Sequence, residues 1–143
     1  MSMLEPKKLK YRKQHRNRGA MKGKASRGAT LAFGSIGLKV TESGEITARQ
    51  IEAARKAMAH SVQRGGKIWI RIFPHTPVSK KAAEVPMGAG KGSLEYFAQT
   101  LNRGAIVFEM DGLPQDKARE ALRLASHKLP LKTKIVTQLS QAA

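Results

Sequence analysis

The run Met87-Gly88-Ala89-Gly90-Lys91-Gly92-Ser93 is the segment of this 143-residue chain most able to cradle a phosphate, because glycines bare their backbone N–H groups beside a lysine. Two nucleotide-binding readings fail in detail. A P-loop needs a glycine five positions before Gly90, where Val85 stands, and Ser or Thr directly after the lysine, where Gly92 stands. A dinucleotide fingerprint must follow a strand and open a helix, whereas this run follows a proline-rich loop and precedes a strand. What remains is a flexible glycine loop that can approach phosphates closely, with an inert surface loop as the alternative. A phosphate-ligand enzyme using this loop is the weakest option.

The other candidate chemistry is sparse. His15, His60, His75 and His127 stand in four different segments with no ligand spacing and no cysteine beside them, so no metal or other cofactor is expected; His60 and His127 read as helix-surface or helix-end residues. Glu109 and Asp111, two apart near a strand end, read as an exposed edge that partly neutralises a basic field. No nucleophile lies in a pattern with a base, so no enzyme is expected.

Positive charge is the dominant signal. The chain carries 27 Lys and Arg against 10 Asp and Glu, for a formal net charge of +17. Ten of those cations fall in the first 30 residues: Lys7, Lys8, Lys10, Arg12, Lys13, Arg16, Arg18, Lys22, Lys24 and Arg27, facing the single acid Glu5. This stretch is nearly devoid of large apolar residues between Tyr11 and Leu31, cannot build a core, and repels itself unless a polyanion collects the charge. Nucleic acid is the polyanion expected. Lys67 and Arg71 extend the set of expected RNA contacts, because Lys67, Trp69, Arg71 and Phe73 share one strand face opposite Ile68, Ile70 and Ile72. Trp69 and Phe73 themselves are expected to pack under the loop that follows.

The elements that must position these groups can be read from periodicity. Residues 1–29 form the basic arm and residues 30–143 one domain, long enough to bury an interior without staples. Residues 30–41 (TLAFGSIGLKVT) suggest strands bent at Gly34 and Gly37, and residues 42–45 a turn. Thr47 and Gln50 make a capping box for a helix whose apolar stripe is Ile51, Ala54, Met58 and Val62, ending at Gly65-Gly66. Residues 67–73 alternate as a strand stopped by Pro74. Residues 74–93 read as a long Gly/Pro-rich loop. Residues 94–101 and 105–110 read as strands joined in a hairpin across Asn102-Arg103-Gly104. A second helix follows Pro114 with the stripe Ala118, Leu122, Ala125 and Leu129, and residues 131–139 make a final strand. The expected fold is α+β, a mostly antiparallel sheet covered by two helices. No apolar run reaches bilayer-spanning length, so no membrane is expected, and nothing points to a homo-oligomer.

Several blocks together carry a family resemblance. Leu4-Glu5-Pro6-Lys7, Lys10-Tyr11-Arg12-Lys13-Gln14-His15-Arg16, Phe33-Gly34-Ser35-Ile36-Gly37-Leu38, Thr47-Ala48-Arg49-Gln50-Ile51-Glu52-Ala53-Ala54-Arg55, Gly65-Gly66-Lys67-Ile68-Trp69-Ile70-Arg71-Ile72-Phe73-Pro74, the glycine run from Met87, and His127-Lys128-Leu129-Pro130-Leu131-Lys132-Thr133 resemble the bacterial large-ribosomal-subunit proteins of the L-sixteen family, in order over nearly the whole chain. The resemblance implies a structural constituent of the large subunit, cytoplasmic and ribosome-bound, with 23S rRNA, tRNA and other large-subunit components as partners. It implies that the arm threads into rRNA. It also implies that a loop comprising Lys80, Lys81, Pro86, Met87, Gly88, Gly90 and Lys91 reaches toward A- and P-site tRNAs near the peptidyl-transferase centre. The family usually has an arginine, hydroxylated in some bacteria, where Pro86 stands here, so no such modification is expected and the loop tip should be stiffer and less charged. Met1-Ser2 stand ahead of the usual start. A free RNA-binding protein or RNA chaperone is the alternative function.

Overall fold

The computed structural model describes residues 4–16, 22–63 and 65–139. Seven strands and two helices follow in the order β1 (Ile36–Val40), β2 (Gly44–Thr47), α1 (Ala48–Val62), β3 (Lys67–Ile70), β4 (Thr76–Lys80), β5 (Ser93–Leu101), β6 (Ile106–Asp111), α2 (Gln115–Ser126) and β7 (Thr133–Thr137). The α+β expectation holds. The strands form two antiparallel sheets: a four-stranded one in the order β3-β6-β1-β7 and a three-stranded one in the order β2-β5-β4.

The helices sit where their apolar stripes dictate. In α1, Thr47 Oγ1 accepts from the Gln50 N–H while the Gln50 side chain accepts from the Thr47 N–H, so the expected capping box is complete. Ala48, Ile51, Ala54, Met58 and Val62 form its buried face, and Ala118, Ala121, Leu122 and Ala125 that of α2. The two helices pack on one another, α2 also on β1 and β7, and α1 on β2 and β5. Beneath them lie Ile36, Leu38, Phe108 and Met110 of the four-stranded sheet, with Ile68, Ile70 and Ile72 packed against the same core. Burying one such side chain contributes about 1.5–3 kcal/mol, so the interior is ample for a domain of this size.

Five local expectations are corrected. α1 closes on Gln63, in the left-handed conformation (φ 49°, ψ 49°), ahead of Gly65-Gly66. The strand from Lys67 is regular only to Ile70. Residues 74–93 are not one loop, because β4 occupies Thr76–Lys80 within them. Pro77 masks this strand in the sequence because proline cannot donate to a ladder; it is tolerated because β4 is an edge strand. Residues 102–104 join two different sheets: β5 pairs with β2 and β4, whereas β6 pairs with β1 and β3. Gly104 does adopt a positive φ of 97°, and its N–H bonds to the Val40 carbonyl. The bulge expected at Gly34 and Gly37 lies instead beyond both glycines, where the pairing of β1 with β6 shifts register between Leu38 and Lys39.

Before β1 the described chain holds no helix or named strand, yet it is attached to the domain. The Ala25 N–H donates to the Arg103 carbonyl and the Ile106 N–H to the Gly28 carbonyl, both in ordinary hydrogen-bond range at 2.9 and 2.8 Å. Leu4 and Ala25 rest against the core.

Candidate nucleic-acid interface

Lys7, Lys8, Lys10, Arg12, Lys13, Arg16, Lys22, Lys24 and Arg27 are all exposed, as is Lys67; Arg18 lies outside the described residues. An exposed lysine or arginine keeps its hydration until a phosphate replaces it, which is the state suited to counterion exchange with RNA. Two arm residues are anchored. Arg16 forms a two-point pair with Glu45 on β2, its Nη2 2.7 Å from Oε2, and also reaches the Tyr96 hydroxyl on β5. That pairing holds the guanidinium above its ordinary pKa. The first half of the arm thus lies along the three-stranded sheet.

The second anchor joins the arm to the glycine loop. The Lys13 ammonium donates to the Lys91 carbonyl at 3.2 Å, and the Lys91 ammonium donates to the Gln14 carbonyl. Two cationic segments separated by 78 positions are therefore stitched by reciprocal bonds into one face. Residues 82–91 of the loop are exposed, and Met87 keeps 96% of its surface in solvent. Gly88, Ala89 and Gly90 carry positive φ in succession (110°, 59°, 94°), which curls the backbone so that the Lys81 ammonium closes on the Gly88 carbonyl. Pro86 lies exposed in this loop, whereas Lys80 belongs to the end of β4 rather than to the loop proper.

The outer face of the four-stranded sheet is built around a residue expected elsewhere from the sequence. Glu109 is no exposed edge acid: it is fully buried on β6. One carboxylate oxygen accepts the N–H groups of Ala32, Phe33 and Gly34, each at 3.0 Å. The other lies 2.6 Å from Arg71 Nη1, which also donates to the Thr30 carbonyl at 3.0 Å. Burial pushes this carboxyl's pKa up, but the three backbone donors and Arg71 outweigh it and hold the group below the ordinary glutamate range. Charge-assisted bonds contribute about 1.5–3 kcal/mol each, enough together to offset a desolvation cost of several kcal/mol. Gly34 is required at this crossing, since a Cβ there would stand 2.4 Å from the Met110 carbonyl oxygen. Arg71, expected as an RNA contact, is thus engaged inside the protein. The available signal was one acid interrupting the otherwise apolar run of residues 105–110. Asp111 is exposed, as expected, and accepts from the Ser35 hydroxyl.

The clasp carries an aromatic pair with it. Phe33 stacks on Trp69 with centroids 6.0 Å apart and planes 18° from parallel. Lys67 Nζ lies 5.3 Å from the Trp69 ring centre and the Arg71 guanidinium 5.4 Å from that of Phe33. Trp69 accordingly packs under the segment that precedes β1, not under the loop that follows β3, and Phe73 stays 42% exposed. His60 and His127 stand on the helix surfaces, in the last turn of α1 and at the end of α2.

A small α+β core thus carries two irregular cationic segments that meet on one face, an arrangement suited to a polyanionic partner. Residues 6–136 match the family model described as ribosomal protein L16p/L10e. Over 137 residues the chain is 56% identical to the large ribosomal subunit protein uL16 of Verminephrobacter eiseniae (strain EF01-2) and 54% identical to that of Polaromonas sp. (strain JS666), each alignment covering 96% of this chain and 98% of the relative. The chain belongs to the ribosomal protein L16p/L10e family.

Proposed function

We propose that this chain is a structural constituent of the large ribosomal subunit in the bacterial cytoplasm, binding 23S rRNA and other subunit components and leaving catalysis to the RNA. The observation that carries this reading is the single cationic face formed where Lys13 and Gln14 of the arm bond reciprocally to Lys91 of the loop. Contacts of this kind neutralise phosphates and fix position without reading sequence. Residues 1–29 act as the RNA-binding arm, with Lys7, Lys8, Lys10, Arg12, Lys13, Arg16, Arg18, Lys22, Lys24 and Arg27 as phosphate partners and Lys67 adding one from β3. Residues 30–143 form the domain that aims them. Arg71 contributes indirectly, by holding residues 30–34 in place through Glu109.

The exposed loop, with Lys81, Met87 and Lys91 and with Lys80 at its base, extends from the same face toward A- and P-site tRNAs near the peptidyl-transferase centre. Its exposure, its three left-handed residues and its link to the arm support that role. Pro86 leaves that position without an arginine to modify. The test is rebinding to large subunits stripped of this protein by high salt. The full chain should rebind one copy per particle and a chain lacking residues 1–29 should not; equal rebinding by both would overturn the arm's role.

A further inference from the structure

Phe33 presents a contradiction between cost and placement. It keeps 57% of its surface exposed, although burying it would be favourable. Yet its backbone is firmly held, by a fully buried carboxylate that accepts from residues 32, 33 and 34. Structural need alone gives no reason to fix an exposed ring so tightly. Its neighbours supply one. The ring is stacked on Trp69, the Arg71 guanidinium lies 5.4 Å from its centre with Nη1 donating to Glu109 and Thr30, and Lys67 is exposed beside Trp69.

We propose that the Phe33–Trp69 pair is a platform on which an unpaired nucleobase of RNA stacks, with the Lys67 ammonium meeting a flanking phosphate. Every base has a π-face that an aromatic side chain can receive, and a stack of this kind is sequence-tolerant. The preset rings lose little rotamer freedom on binding, because Glu109 has already fixed the Phe33 backbone and Trp69 its side chain. A formal charge of +17 favours an anionic partner over an apolar protein surface. The inference rests on the RNA-binding role proposed above and adds a specific contact to it: a base, at a site whose rings belong neither to the arm nor to the glycine loop.

Trp69 is the chain's one tryptophan, so its fluorescence reports on this site alone. The full-length protein is titrated with an oligoadenylate of about eight nucleotides and with its abasic counterpart, which carries the same phosphates and no bases. The proposal expects quenching of Trp69 by oligoadenylate only, and tighter binding of oligoadenylate than of the abasic strand by about tenfold. In Phe33→Leu, which keeps apolar volume but loses the flat ring, that preference should collapse toward one while abasic affinity is unchanged. Equal quenching by both strands, or an undiminished preference in Phe33→Leu, would overturn the platform. The comparison of strands on the unmodified protein needs no variant to fold. Failure of the ribosomal reading would show separately, as loss of the protein from washed large subunits.

Discussion

Glu109 and Arg71 form an ion pair of 2.6 Å in which the carboxylate has no exposed surface and the guanidinium side chain 16%. The pair bridges β6 to the segment after β3, and through the Ala32, Phe33 and Gly34 N–H groups it also fastens the segment between the arm and β1 to the sheet. Removing one partner of such a pair strands the other charge. Glu109→Gln should therefore destabilise the fold by about 3 kcal/mol near neutral pH, measured by urea unfolding.

The same group sets a pH dependence. Its folded pKa lies below the ordinary glutamate range, so the unfolded chain takes up the proton more readily. Its stabilisation is complete above about pH 5 and declines as pH falls through about 4.3 and below. The stability gap between the native protein and Glu109→Gln should narrow progressively below about pH 4 in thermal melts. A gap that stays constant down to about pH 2 would show that the carboxylate charge is not what matters.

Gly34→Ala should cost about 1–3 kcal/mol, because the added methyl group would meet the Met110 backbone, which cannot swing aside. Gly23→Ala is the matching control: a Cβ there meets nothing within 4 Å, and its stability should change by less than about 0.5 kcal/mol. Comparison of the two denaturation midpoints decides whether close approach at the clasp is real.

Thr47→Ala removes the hydroxyl that accepts from Gln50 and the reciprocal geometry of the box. A loss of about 1 kcal/mol is expected, seen calorimetrically as a melting shift of about 2–4 °C with the fold retained.

Arm charge should act through counterion release. Replacing Lys7, Lys8, Lys10 and Lys13 by Gln should lower the slope of log affinity against log salt by about 0.7–0.9 for each phosphate left without its lysine. Equilibrium binding to an rRNA fragment across a salt series measures it. An unchanged slope would mean that these side chains do not touch phosphate.

Sequence patterning carried the helices, since the stripes Ile51, Ala54, Met58, Val62 and Ala118, Leu122, Ala125 are all buried as the 3.6-residue period requires. The exposure of the described cations before β1 was legible for a different reason: such charge density has no packing explanation. What escaped the sequence was long-range. Pro77 conceals β4 because its strand role depends on lying at an edge, and the 102–104 link looked like a hairpin because short loops usually pair their flanking strands. Glu109 looked like surface because a buried carboxylate is understandable only once three backbone donors 75 to 77 positions away are seen to converge on it. The Phe33–Trp69 stack depends on that same convergence.

Whether this chain is a fixed part of the large subunit is decided by sedimenting cell lysate through a magnesium-containing sucrose gradient, washing the fractions at moderate salt and quantifying this protein by mass spectrometry. One copy per large subunit, retained through the wash, is the predicted result. A protein that trails across the gradient and washes away with mobile RNA-binding proteins would contradict the account and favour an RNA chaperone instead.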